Sequence, residues 1–163
     1  MKNLFLALTF VFTIVSCGSD QKDSTTEKPS TTASEAPKTS NVLDIKGTDD
    51  MKFDKTSFTV KSGEEITLNF TNAGVLPLET MGHNVVVLEK GADVQTFATA
   101  SAKAKETNYI SDLYITDIIA QTKLLGPGES ETIKFTLKEP GEYTFICTFP
   151  GHWIQMKGII TAI

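Results

Sequence analysis

The ten residues from Cys147 to Met156, Cys-Thr-Phe-Pro-Gly-His-Trp-Ile-Gln-Met, constrain this chain more than any other stretch. They set a thiolate, an imidazole and a thioether on one short loop, at Cys147, His152 and Met156. Between them stand Pro150 and Gly151, where the chain can fold back on itself. Strand-like runs flank the loop, 142–146 before it and 157–162 after it. A return of this kind can bring all three donors to one point.

Only one further imidazole exists. The chain has two histidines, and the second is His83 in Thr80-Met-Gly-His83-Asn84-Val-Val-Val-Leu88. A thiolate, two imidazoles and a weak thioether form the donor set of electron-transferring copper sites, whereas structural zinc takes four strong ligands, usually several of them cysteines. Taken singly, a buried cysteine is most often a small core residue, and a lone histidine is most often a packing group with its hydrogen bonds satisfied. Taken together at this spacing, with no spare Cys or His in 41–163, they predict a centre for one copper ion.

Two segments, Met81-Gly-His83-Asn84 and Phe145-Ile-Cys147-Thr-Phe-Pro-Gly-His152-Trp-Ile-Gln-Met156-Lys-Gly, resemble the bacterial azurins of the cupredoxin family, and the likeness runs from about Val42 to the C-terminus. The resemblance implies an all-β fold, a Greek-key β-sandwich or barrel with one short external helix. It implies His83, Cys147 and His152 as equatorial ligands, Met156 as the weak axial one and the Gly82 carbonyl as a distant fifth contact. Asn84, with Phe149 beside the ligands, would fix geometry without ligating, Asn84 by tying the His83 strand to the Cys147 loop. The family's docking surface would fall on Leu76, Met81, Pro150 and Trp153 around an exposed His152. Departures are equally specific. Asn72 stands where some azurins carry a pH-titrating histidine, Val85 where many have a buried tryptophan, and the disulfide expected near Asn41 and Gly63 is missing.

The N-terminal part reads differently. Lys2 followed by the apolar run 4–15 is too short to span a bilayer and predicts a signal peptide over 1–16. The run ends Ile-Val-Ser-Cys17-Gly, similar to the lipobox of bacterial lipoproteins, which would put a lipid on Cys17. Cysteine arithmetic agrees, since the chain has two cysteines and they cannot pair if Cys147 holds metal. Residues 18–40 carry no aliphatic side chain larger than alanine and no aromatic, so 17–40 is expected to be a disordered Ser/Thr-rich tether ahead of a domain over 41–163.

Within that domain the runs 42–45, 57–60, 66–70, 85–88, 132–137, 143–147 and 158–163 predict short strands separated by turns such as Lys61-Ser-Gly63 and Gly126-Pro-Gly128. Val94, Phe97, Ala98 and Ala102 recur at helical spacing after Asp93 and predict a short helix between 91 and 105. The connection 106–125 is too apolar for a solvated loop and should pack along the barrel, with its tyrosines as anchors.

Function classes follow from these counts. The formal net charge is −5 and all fifteen basic residues are lysines without a cluster, which argues against nucleic acid as a partner. A multicopper enzyme would need histidines that the chain does not have. A copper store or delivery protein, which would bind Cu(I) through Met-rich or paired Cys ligands, fits four methionines, one of them the initiator, less well than does a monomeric electron carrier. The expected setting is the periplasmic cell envelope, membrane-anchored through lipid. The expected partners are redox proteins such as c-type cytochromes or terminal reductases and oxidases.

Overall fold

The structure, a computed structural model, describes residues 38–163. The signal segment, Cys17 and most of the tether expectation lie outside the described residues.

Two sheets face each other. One contains β1 (Val42–Thr48), β2 (Lys52–Phe53), β4 (Glu65–Asn72) and β7 (Ser130–Thr136), in the order β2-β1-β4-β7. The other contains β3 (Ser57–Val60), β5 (Val86–Leu88), β6 (Ile118–Gln121), β8 (Gly141–Ile146) and β9 (Lys157–Ala162), in the order β3-β9-β8-β5-β6. The β1–β4 and β3–β9 pairs are parallel and the others antiparallel. This is the all-β sandwich that the strand pattern predicts.

Alternation decides what is inside. Leu43 and Ile45 on β1, and Ile66, Leu68 and Phe70 on β4, meet Tyr143, Phe145 and Ile160 from the opposite sheet. Phe53 closes the gap between layers, its ring 6.1 Å from Phe70 edge-on and 5.5 Å from Phe145. Strand β5 breaks the alternation, because Val86, Val87 and Leu88 are all buried. Its outer face is covered by helix α2 (Val94–Ser101), which packs Phe97 and Ala98 onto Val86, Leu88, Ile110 and Ile146. Asp93 starts that helix, accepting from the Thr96 amide at 3.0 Å.

Three elements lack a sequence signal. Helix α1 (Leu78–Met81) is a single turn with no buried residue and follows Pro77 without a side-chain cap, so no periodic pattern marks it. Strand β2 has two residues. Strand β6 emerges from the apolar connection, pairing with β5 through a register shift between Val87 and Leu88. The rest of that connection packs only in part: Tyr109 lies against the main core and Tyr114 and Ile110 join the cluster under α2, whereas Leu113 and Ile115, on the outer side of the 3-10 turns, stay exposed.

Where the resemblance leads one to expect a disulfide, Asn41 supplies hydrogen bonds. Its Oδ1 accepts from the Lys61 amide at 2.9 Å and its Nδ2 donates to Glu64 at 3.2 Å, across the turn that contains Gly63.

Gly158 faces the Phe145 ring and the Thr56 carbonyl so closely that an added Cβ would overlap both. Gly158→Ala is therefore expected to destabilise the fold by about 1–3 kcal/mol through overpacking. Denaturant unfolding of the copper-free protein measures this, and a change within ±0.5 kcal/mol, the level of an indifferent surface substitution, would count against the packing described.

Candidate metal centre

The centre forms where three pieces of backbone meet at one end of the sandwich. Cys147 is the first residue beyond β8. His83 precedes β5 and is fixed by paired bonds to Leu125, His83 amide to Leu125 carbonyl at 3.1 Å and the reverse at 2.8 Å. His152 opens a 3-10 turn, His152–Ile154, entered through Gly151 at φ 83°, a left-handed conformation that glycine adopts without strain. The loop is closed at its base, where the Cys147 amide donates to the Met156 carbonyl at 3.0 Å and the Met156 amide donates to the His152 carbonyl at 2.8 Å.

These constraints gather the donors. Cys147 Sγ lies 4.0 Å from His83 Nδ1 and 3.7 Å from His152 Nδ1, and the two Nδ1 atoms are 3.2 Å apart. All three residues are buried. A point equidistant from the three atoms lies roughly 2 Å from each, the length of first-row metal bonds to imidazole and thiolate. The residues therefore fit a metal ion. Met156, fully buried, sits in the same core cluster as Cys147. Gly82 is buried immediately before His83 and donates its amide to the Leu78 carbonyl at 2.9 Å.

The surroundings hold the donors still. Asn84 Nδ2 donates to Thr148 Oγ1 at 2.7 Å, and its Oδ1 accepts from the Thr148 amide at 2.8 Å, both bonds buried. Asn84 thus joins the His83 segment to the Cys147 loop. Phe149 packs against His152 with ring centroids 4.7 Å apart and the planes tilted by 42°, and is itself edge-on to Tyr109 at 5.0 Å. Asn72 donates to the Leu125 carbonyl at 2.9 Å and accepts from the Gly74 amide at 2.9 Å, knotting the end of β4 to the segment that pairs with His83. Gly47 lies against the His83 ring, where a Cβ would meet Cδ2 at 3.0 Å. Nothing in the sequence marks Tyr109 or Gly47 for these positions, since both touch the centre across the fold; Thr148 follows Cys147 directly, but its pairing with Asn84 shows only once the two segments are brought together.

Two expectations are corrected. His152 is only 3% exposed, because Phe149 covers its ring and the 3-10 turn folds it inward. Trp153 packs half-buried against the cluster beneath α2, where its indole lines a groove with Val94 and Ile159, and does not stand free beside an exposed ligand. Of the other surface expectations, Leu76, 41% exposed, and Pro150 keep their exposure, and Met81, like Trp153, keeps only part of it.

Burial governs protonation. The Cys147 thiol is pushed up to about 12, against the Asn84 and Phe149 backbone amides beside the sulfur. His152 is lowered to about 4 by burial and by the neighbouring His83. His83 is also lowered by burial, which outweighs the Thr48 carbonyl and the Asp49 carboxylate. His83 Nε2 is the one buried side-chain polar atom without a hydrogen-bond partner among the described residues, and the Thr48 carbonyl bears on the ring only loosely. Without a cation, burial thus favours the neutral forms of the thiol and of both imidazoles.

Comparison with known proteins places this geometry. Residues 39–162 match the family described as copper binding proteins, plastocyanin/azurin family. The chain is similar to azurin of Alcaligenes faecalis, 41% identical over 122 residues that span 72% of this chain and 94% of that one. It is similar to azurin of Pseudomonas aeruginosa strain PAO1, 41% identical over 124 residues, 73% of this chain and 82% of that one. Among solved structures it superposes on dithionite-reduced auracyanin from Roseiflexus castenholzii with TM-score 0.70 and 36% identity, covering 77% of this chain and 99% of that one. An azurin from Methylomonas sp. strain J superposes with TM-score 0.67 and 31% identity, covering 75% and 97%.

The histidine shifts fix a pH dependence. An unfolded chain takes up protons below about pH 6.5 that the folded centre refuses until about pH 4, so the folded state loses stability as pH falls through that window. The copper-free protein is expected to melt at progressively lower temperature from pH 6.5 to 4. A flat melting temperature across this range would contradict the buried, neutral imidazoles.

Proposed function

The chain belongs to the plastocyanin/azurin family of copper-binding proteins, and on that premise we propose that it is a one-electron carrier shuttling electrons between redox proteins of the cell envelope. The observation that carries this reading is the donor triangle, with three buried ligand atoms within 4.8 Å of one another. A bound copper ion would supply the Cu(I)/Cu(II) couple.

What the chain's residues do is hold. In this reading His83, Cys147 and His152 are the strong ligands, Met156 the weak axial donor and the Gly82 carbonyl a remote contact. Copper's two oxidation states ordinarily favour different geometries, so a frame that cannot follow either preference keeps the rearrangement on electron exchange small. The Asn84–Thr148 pair and the base of the 147–156 loop supply that frame. Cys147 must give up its proton to bind copper as a thiolate, since burial favours the protonated thiol in the copper-free pocket.

Storage or delivery is the alternative, and closure argues against it. A protein that hands its metal on needs an exit for the ion, whereas all three donors here are buried. Enzymatic copper chemistry would need further histidines, and the chain has two.

The envelope setting rests on the sequence of 1–16 and Cys17. We assign the electron-exchange face to the apolar loop that precedes His83, where Val75 is 83%, Leu76 41% and Leu78 36% exposed. Leu78 lines one shallow pocket with Tyr109, Leu124 and Phe149, so this loop reaches the ring that covers His152. A small surface of this kind suits brief encounters with a partner such as a c-type cytochrome.

Copper-loaded protein is expected to show an intense blue thiolate band. Cys147→Ser should abolish it, and Met156→Leu should keep the colour and raise the reduction potential. A blue Cys147→Ser protein would overturn the ligand assignment. Leu76→Asp should leave the spectrum unchanged and slow electron exchange with a soluble c-type cytochrome by about tenfold. Unaltered stopped-flow rates would move the exchange face elsewhere.

A further inference from the structure

One corner of the fold touches both the back of the metal centre and the exposed loop. It is the segment 47–49, where β1 leaves its sheet. Gly47 packs against the His83 ring, and its carbonyl accepts from the Ala73 amide at 2.8 Å. Two residues on, the half-buried Asp49 carboxylate turns to the same loop. Its Oδ2 accepts from the Val75 amide at 2.8 Å and its Oδ1, at 3.4 Å, faces the Leu76 amide. Gly74 passes so close to that carboxylate that a Cβ there would push the Asp49 side chain out of its present position.

Val75 and Leu76 are the residues that most need such a hold. They are exposed apolar residues in a stretch between Asn72 and Pro77 that has no ladder of its own. The preference of the unbound loop would be to fray, and a charged acceptor meeting two successive amides resists this better than a neutral one. Because Gly47, two residues earlier, lies against the His83 ring, the same carboxylate also brings a negative charge into the neighbourhood of that ligand.

We propose that Asp49 is a positioning residue of the electron-transfer centre, clamping the Val75–Leu76 backbone of the exchange face while setting one negative charge behind the ligand His83. The two tasks are coupled by construction. The charge favours the oxidised, more positive state of the site and so lowers the reduction potential. The clamp keeps the apolar loop in the shape that a partner meets. Any change at Asp49 therefore alters the driving force and the contact surface together.

The proposal rests on the electron-carrier reading, and the experiment separates the two. The full chain is prepared as wild type, Asp49→Asn, Asp49→Ala and Asp50→Asn, the last removing a neighbouring exposed carboxylate as a control. Voltammetry at low and high salt gives the reduction potentials, and amide hydrogen exchange on the copper-free proteins reads the Val75 amide. A wild-type protein with no reversible copper couple would sink the electron-carrier reading, and the exchange measurement on copper-free protein would still decide the clamp.

Asp49→Asn is expected to shift the oxidised-to-reduced ratio at a fixed poise about two- to tenfold toward reduced, the upper figure being about 59 mV for one electron. The shift should shrink as salt rises and should exceed that of Asp50→Asn. Exchange at the Val75 amide should quicken at least about tenfold in Asp49→Ala and less in Asp49→Asn, which keeps an acceptor oxygen. Potentials of Asp49→Asn and Asp50→Asn that coincide, or Val75 exchange unchanged in Asp49→Ala, would overturn the proposal. Should Asp49→Ala fail to fold, the potential of Asp49→Asn decides alone.

Discussion

The two hydrogen bonds between Asn84 and Thr148 are the contact on which the centre depends. They cross from the segment that carries His83 to the loop that carries Cys147 and His152, and both are buried. Buried amide hydrogen bonds of this kind are exacting, because losing one partner leaves a desolvated group that water cannot reach. The pair therefore fixes the separation of two ligand-bearing segments that are 64 residues apart in sequence. Everything else at the site works within that fixed separation, including the loop closure at Met156 and the ring of Phe149 over His152.

The sheets extend this rigidity outward. Strand β5 lies between β8 and β6 and is covered on its outer face by α2, so the segment leading from His83 has no free surface on which to relax. Its neighbour β8 delivers Cys147 from the adjacent position. The ligands thus hang from the most enclosed pair of strands. Exposed connections, such as the single turn of α1, approach the centre from outside.

Much of this was legible in the sequence because the centre's donors carry unusual chemistry at a fixed spacing. Cys147, His152 and Met156 announce a site within ten residues, and a chain with two histidines leaves only His83 for the fourth donor. The strands were legible where one face is buried, as in Ile66, Leu68 and Phe70 on β4, and less so where both are, as in β5. What stayed hidden is whatever depends on contacts across the fold. Gly47 is a small residue at the end of an ordinary strand until His83 is placed against it, and Asp49 is one of twenty acidic residues until Val75 turns its amide toward it. The inward orientation of His152 also depends on a partner ring, which loop spacing alone does not supply.

Asn41 has a consequence for how such a domain can come into being. Its side chain fastens the turn around Gly63 through hydrogen bonds to Lys61 and Glu64, and Cys147 is the only cysteine among the described residues. No covalent crosslink is then waiting to form within this domain, and no wrong pairing can trap it. A fold built on side-chain amides can be completed under reducing or oxidising conditions alike, without help from thiol oxidases or isomerases. Once the domain has folded, its single thiol is sheltered in the core beside the two imidazoles.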